Sequence, residues 1–281
     1  MRFAISYQPA FHGIDPDHLT AYARHAEACG FEGLYLPEHV VLYPGAQIGP
    51  MELPPTMPFL DPIDCLAFVA AATDRLLLGT GVLLLPYHHP VTLAKRLATV
   101  DVLSRGRLRL LTVGVGGLPG EAAAVGVDFT TRGRRADEAI DVLRLLWSGD
   151  PVSYDGEFFQ FSDLCSHPRP LADLPIHVGG SSKAAARRAG LRGNGYFAGG
   201  ALTADERARQ LDVARKAAAE AGRDPAAIEY TRWGSIDMPA SAIEALAEQG
   251  VTRVVVSAAS ADPAEQRDQL SSFAERFGLV R

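Results

Sequence analysis

The chain has 281 residues, of which 27 are basic and 33 acidic, giving a net charge of −6 and an isoelectric point near 5.8. That balance argues against nucleic-acid binding, which calls for a basic face, and no run of about 18 apolar residues offers a membrane helix. With 47% hydrophobic but only 8% aromatic residues, the core should be aliphatic, and the length suits one α/β barrel over residues 1–281. The first residues lack the apolar run and cleavage site of a signal peptide, so a cytoplasmic protein is expected. Cys29, Cys65 and Cys165 are scattered and show no C-x-x-C spacing. Buried, inert thiols are expected, with neither a disulfide framework nor a metal site.

Phe3 to Tyr7 reads as a first strand, and Pro16 opens a helix that Gly30 stops. Gly33 to Leu36 is a second strand, running into Pro37-Glu38-His39. From Val40 to Leu60 the chain is rich in proline and has no helical period, and a loop of that length is more often functional than idle. Asp61-Pro62 caps a helix to Thr73.

Leu76 to Leu85 is almost wholly apolar, as a strand buried on both faces must be, and Gly79-Thr80-Gly81 interrupts it. Glycine inside a strand marks a bulge or a ligand close to the backbone. Leu93, Leu97, Val100 and Leu103 recur at helical spacing, and Leu108 to Val115 is a second buried strand. Thr130 to Ser148 is helical, residues 150–175 form an insertion containing a hairpin, and strands at 176–178, 196–198, 228–233 and 253–258 each precede a helix. Eight strands, each followed by a helix, predict a (β/α)8 TIM barrel with an insertion after the fourth helix.

Gly179-Gly180-Ser181-Ser182 lies between a strand and a helix. Glycines there let the backbone approach an anion, and the helix start and two hydroxyls favour phosphate, although a plain helix cap would use the same residues. Gly114-x-Gly116-Gly117 is a poor dinucleotide fingerprint, because Pro119 follows and no G-x-G-x-x-G exists. His39 stands at the strand end where barrel active sites form and can exchange a proton, with Glu38 beside it to orient it. A structural histidine is the competing reading. His88 and His89 should point apart and make a poor metal pair. Glu121 reads as a solvated surface carboxylate, and Arg132, Arg134 and Arg135 as a solvated helix face.

Residues 34–40, 75–108, 126–147 and 177–190, in that order, resemble the bacterial luciferase-like flavin-dependent oxidoreductases, and within them the group that uses the deazaflavin coenzyme F-420. The resemblance implies a flavin-type cofactor at the C-terminal mouth of the barrel. It implies that Gly81 and Val82, joined by a non-prolyl cis peptide, back the ring, with Thr80 and Leu84 lining its pocket. It further implies that Gly179, Gly180, Ser181 and Ser182 take the cofactor phosphate, and that His39 faces the deazaflavin and assists hydride transfer. Homodimerisation is expected on the same ground. Where related sugar-phosphate dehydrogenases carry a catalytic glutamate, this chain has Gly117, and the Tyr230 to Pro239 stretch is compressed.

The expected function is therefore hydride transfer between coenzyme F-420 and a small organic substrate. Arginine far outnumbers lysine (only Lys95, Lys183 and Lys216 are present), which points to a GC-rich genome of the kind in which F-420 is common. An FMN-dependent monooxygenase using reduced flavin and oxygen is the second enzymatic reading. A non-catalytic flavin- or F-420-binding barrel is the third.

Overall fold

A computed structural model describes residues 1–200 and 202–279. Eight parallel strands close a barrel: β1 (Arg2–Ser6), β2 (Gly33–Leu36), β3 (Leu77–Leu84), β4 (Leu108–Gly114), β5 (Ile176–Gly179), β6 (Gly195–Phe197), β7 (Glu229–Trp233) and β8 (Arg253–Val256). Each strand pairs with the next, and β1 pairs with β8, with Arg2 opposite Arg253. The helices that follow the strands are α1 (Pro16–Ala28), α2 (Pro62–Ala72), α3 (Pro90–Leu103), α4 (Arg132–Ser148), α5 (Lys183–Arg192), α6 (Ala204–Glu220), α7 (Ala240–Glu248) and α8 (Pro263–Phe277). The TIM barrel expected from strand–helix alternation is the observed fold.

Local chemistry explains the helix starts. Asp15, Asp61 and Asp262 each accept two backbone N–H bonds ahead of a proline at the first helical position. Thr203 and Glu206 form a reciprocal capping box at α6. Helix α4 begins at Arg132, because the Asp128 carboxylate accepts from Thr130 and holds that residue in a turn.

The main core fills the layer between strands and helices. A smaller cluster of Ala4, Tyr35, Leu110, Phe197 and Val255 fills the barrel interior. The N-terminal end is plugged by Arg253, buried and bonded to Glu32 (2.6 and 3.0 Å) and Glu229 (2.8 Å). A guanidinium this deeply buried persists because both carboxylates are in place to pair it. His177 packs beside them, and burial holds its pKa down to about 4.

The antiparallel hairpin Val152–Asp155/Gln160–Leu164 forms the insertion after α4. The proline-rich loop after β2 carries a small hairpin (Gln47–Ile48/Met51–Glu52), and a short helix, Pro119–Ala124, follows β4. Two expectations need correction. Cys165 is exposed, whereas Cys29 and Cys65 are buried. Arg132 and Arg135 do not form a solvated face: their guanidinium groups donate to the Gly116 and Pro86 carbonyls at 3.2 and 3.0 Å, while Arg134 pairs with Glu157 on the surface.

Candidate active site

The C-terminal ends of β2 to β5 converge on a cavity of about 520 Å³. Its floor is the β3 bulge. The pairing of β3 with β4 slips between Gly81 and Leu83, and the Gly81–Val82 peptide is cis. The Val82 side chain lies across the next two strands, in space that a Cβ on Gly114 or Gly179 would occupy. Glycines at those two strand ends therefore seat Val82 as a shelf beneath the cavity.

Thr80 is placed differently. It is fully buried, its hydroxyl donates to the Thr112 carbonyl (2.7 Å) and accepts from the Thr112 N–H (3.1 Å), and it is not among the cavity's lining residues. Gly81, Val82 and Leu84 do line it. So do Gly179, Gly180, Ser181 and Ser182 at the opposite edge, where the fifth strand runs into α5.

Gly180 has φ +125°, a conformation that side chains resist. Its N–H donates to the Phe197 carbonyl and its own carbonyl accepts from the Tyr196 hydroxyl (2.9 Å), while Gln210 bonds the Ser181 carbonyl and Tyr196. Ser182 caps α5 by accepting from the Ala185 N–H (3.1 Å). The capping reading is the one observed, and anion binding at this turn stays an expectation of the sequence. The cap leaves the earlier first-turn N–H groups to a ligand, and Lys183 rather than an acidic residue opens the helix.

On the other side, His39 follows β2 and lines the cavity. Its Nδ1 lies 3.1 Å from Glu121 Oε2, and the second carboxylate oxygen accepts from the Val40 N–H at 2.7 Å. Glu121 is wholly buried, not solvated. Because Nδ1 donates to a carboxylate acceptor, Nε2 is the nitrogen left for a ligand. Phe59 stands edge-on to the imidazole, with ring centroids 4.8 Å apart.

Glu38 does not orient His39. Its carboxylate accepts from the Leu84 N–H and bonds His88 Nε2 at 2.8 Å, tying β2 to the end of β3. His89 turns instead toward Phe159, so the adjacent histidines point apart as expected. Gly117 lines the cavity, and a Cβ there would meet only open space. Among the described residues no group of three or more His, Cys, Asp or Glu could hold a metal ion, and no helix is long and apolar enough to cross a membrane.

Sequence reasoning missed the pairing of Glu121 with His39. The available signal was one carboxylate, Glu121, at the head of an alanine run closed by Gly126, a pattern of a short helix buried along one side.

Comparisons with known proteins identify the family and the fold. Residues 1–275 match the luciferase-like monooxygenase family. An uncharacterised protein of Mycobacterium tuberculosis is 32% identical over 242 residues, covering 83% of this chain and 82% of that protein. An F-420-dependent glucose-6-phosphate dehydrogenase of Beutenbergia cavernae is 33% identical over 198 residues, covering 69% of this chain but only 55% of the dehydrogenase. Among solved structures, an F-420-dependent secondary alcohol dehydrogenase in complex with an F-420–acetone adduct superposes with TM-score 0.82 at 18% identity, over the whole of both chains. A monooxygenase of Streptomyces bottropensis gives the same TM-score at 22% identity over 98% of each chain. Fold, cavity and sequence match converge: the chain belongs to the luciferase-like monooxygenase family of oxidoreductases.

Proposed function

We propose that the protein transfers a hydride between coenzyme F-420 and a small organic substrate, with His39 as the proton partner. The observation that carries this reading is the buried Glu121 carboxylate on His39 Nδ1, beside a cavity floored by the Gly81–Val82 bulge. The residues fit a deazaflavin. Gly81, Val82 and Leu84 offer an apolar backing, and the turn before α5 offers the Ser181 hydroxyl and the first N–H groups of the helix to its phosphate. The dehydrogenase relative from Beutenbergia cavernae, named for its use of F-420, supports the choice of cofactor.

When bound, the deazaflavin supplies a two-electron hydride donor or acceptor. The chain's part is the proton. An alcohol that gives up its carbon-bound hydride must also lose its hydroxyl proton, and Nε2 of His39 accepts it while Nδ1–H stays on Glu121. In the reverse direction the same nitrogen returns the proton to the carbonyl oxygen. Glu121 holds the ring in one tautomer and stabilises the imidazolium form.

The test pairs binding with turnover. In His39→Ala, F-420 affinity should stay within about twofold, while hydride exchange with secondary alcohols or methyl ketones falls by ~10²–10⁴-fold. Unchanged turnover in His39→Ala would remove the proton role.

A further inference from the structure

Under the oxidoreductase reading, on which this inference rests, the cavity must also hold a substrate. We infer that this substrate is an uncharged, apolar carbonyl compound or the corresponding alcohol, with an alkyl or aryl chain laid along the loops that follow β1 and β2. Phosphorylated sugars and carboxylates do not suit this wall.

The wall is Phe11, Ile48, Met51, Leu53, Met57 and Phe59, which together line one side of the cavity. Phe11 comes from a short helix, Pro9–His12, between β1 and α1, and the other five from the proline-rich loop after β2. In an eight-strand ring β1 stands opposite β5. Phe11 therefore stands across the mouth from the anion-suited turn after β5, and the loop after β2 lies three strands away from that turn, so a cofactor phosphate and a substrate chain have separate places. Phe59 brings the wall to His39, so a carbonyl oxygen near Nε2 continues into apolar surroundings.

The charge pattern says the same. Among the described lining residues none is Lys or Arg, and the one carboxylate, Glu38, is spent on the Leu84 N–H and His88. A phosphate monoester on this side would be desolvated without a counter-ion, which is strongly unfavourable. Among the described residues the Glu121 carboxylate hydrogen-bonds only His39 and Val40.

The wall is also built in advance. Leu53 packs with Ala46 and Leu118 in a separate small core, flanked by Leu42, Tyr43 and Met57. The Gly120 N–H donates to the Tyr43 hydroxyl at 3.2 Å, fastening the loop to the helix that carries Glu121. Even so, Phe11, Ile48 and Met51 remain 65%, 42% and 50% exposed. Large apolar side chains left uncovered around one cavity are surface that a hydrophobic ligand would cover, and the unbranched methionines adapt to chains of differing shape.

The test is displacement of N-phenylnaphthylamine, an uncharged dye that fluoresces in apolar sites, by methyl ketones of increasing chain length and by glucose 6-phosphate. Affinity should rise about fourfold per added methylene, the equivalent of ~0.8 kcal/mol, and glucose 6-phosphate should displace no dye. Ile48→Asp and Met51→Glu change exposed side chains, so the fold should survive. Each should weaken the longest ketone by about tenfold or more and leave F-420 affinity unaltered. A flat response to chain length, or tighter binding of glucose 6-phosphate, would overturn the inference. The dye assay needs no cofactor, so failure to bind F-420 would count against the proposed function while the ketone series still decides the substrate class.

Discussion

Glu121 spans 82 positions of sequence to hold His39 Nδ1 at 3.1 Å, and the same carboxylate takes the Val40 N–H at 2.7 Å with no exposure to solvent. One side chain therefore does two separable things: it satisfies a loop N–H and it sets the imidazole tautomer. Substitutions divide them. Glu121→Ala strands the Val40 N–H and should cost about 1–3 kcal/mol, seen as a lower melting temperature. Glu121→Gln keeps an acceptor for Val40, but its amide would donate to Nδ1 and move the ring proton to Nε2. Stability should then be closer to wild type while hydride exchange falls at least tenfold, up to ~10⁴-fold as for tautomer loss in a catalytic triad. Nitrogen chemical shifts of the His39 ring, which report the tautomer directly, should switch in the Gln variant and not in a surface control.

Adjacent glycines of one turn should respond in opposite ways. Gly116 has φ +77°, and a Cβ there would collide with the Tyr87 hydroxyl. Gly116→Ala should destabilise the protein by roughly 1–3 kcal/mol. Gly117 has open space around its Cβ position and lines the cavity. Gly117→Trp should fold normally and instead narrow the mouth, weakening the longer methyl ketones. Denaturant midpoints for the first variant and dye displacement for the second would reveal any exchange of the two effects.

Much of the barrel was legible because its signals are local. Continuous apolar runs such as Leu108 to Val115 can only be strands covered on both faces, and Asp or Ser ahead of a helix names the cap. The Gly-Thr-Gly break in β3 announced its bulge, and His39 and the Gly179 to Ser182 turn do face one cavity. What could not be read was pairing across distance. Nothing near His39 indicates that its partner is Glu121 rather than the adjacent Glu38, because the choice is made by the short helix that β4 leads into. Thr80 is a different case, since only the family resemblance places it on the cavity wall. The cis peptide and bulge just beyond it end the regular alternation of the strand, and its hydroxyl instead closes onto the β4 backbone.

Acid should destabilise the far end of the barrel before it reaches the carboxylates. His177 is almost fully buried, burial holds its pKa at about 4, and an unfolded histidine titrates near 6.5. The unfolded chain takes the proton first, so this histidine's contribution is complete above about pH 6.5 and is lost as pH falls from there toward 4. Between pH 7 and pH 5 it should remove about 2 kcal/mol of stability. Burial would raise Glu229, but the Arg253 charge outweighs it and holds that carboxyl below its usual value, so it titrates beneath this window. Urea unfolding of wild type and His177→Leu at the two pH values should show the loss only in wild type.

The turn after β5 makes a narrower prediction. Gly180→Ala forces a side chain into φ +125° and toward the Ala185 Cβ at 3.1 Å, so the backbone must rotate where a phosphate would rest. F-420 affinity should drop at least tenfold while binding of the longest methyl ketone, away from this turn, is retained. Isothermal titration with each ligand separately would expose a general loss of folding, which should weaken both.

The central claim is tested most directly by titrating the purified protein with F-420 and with FMN in parallel, following the fluorescence of each cofactor. Saturable F-420 binding, at least tenfold tighter than FMN, is the predicted result. Preference for FMN would contradict it and mark an oxygen-using monooxygenase, and binding of neither would leave a barrel that does not use a flavin-type cofactor at all.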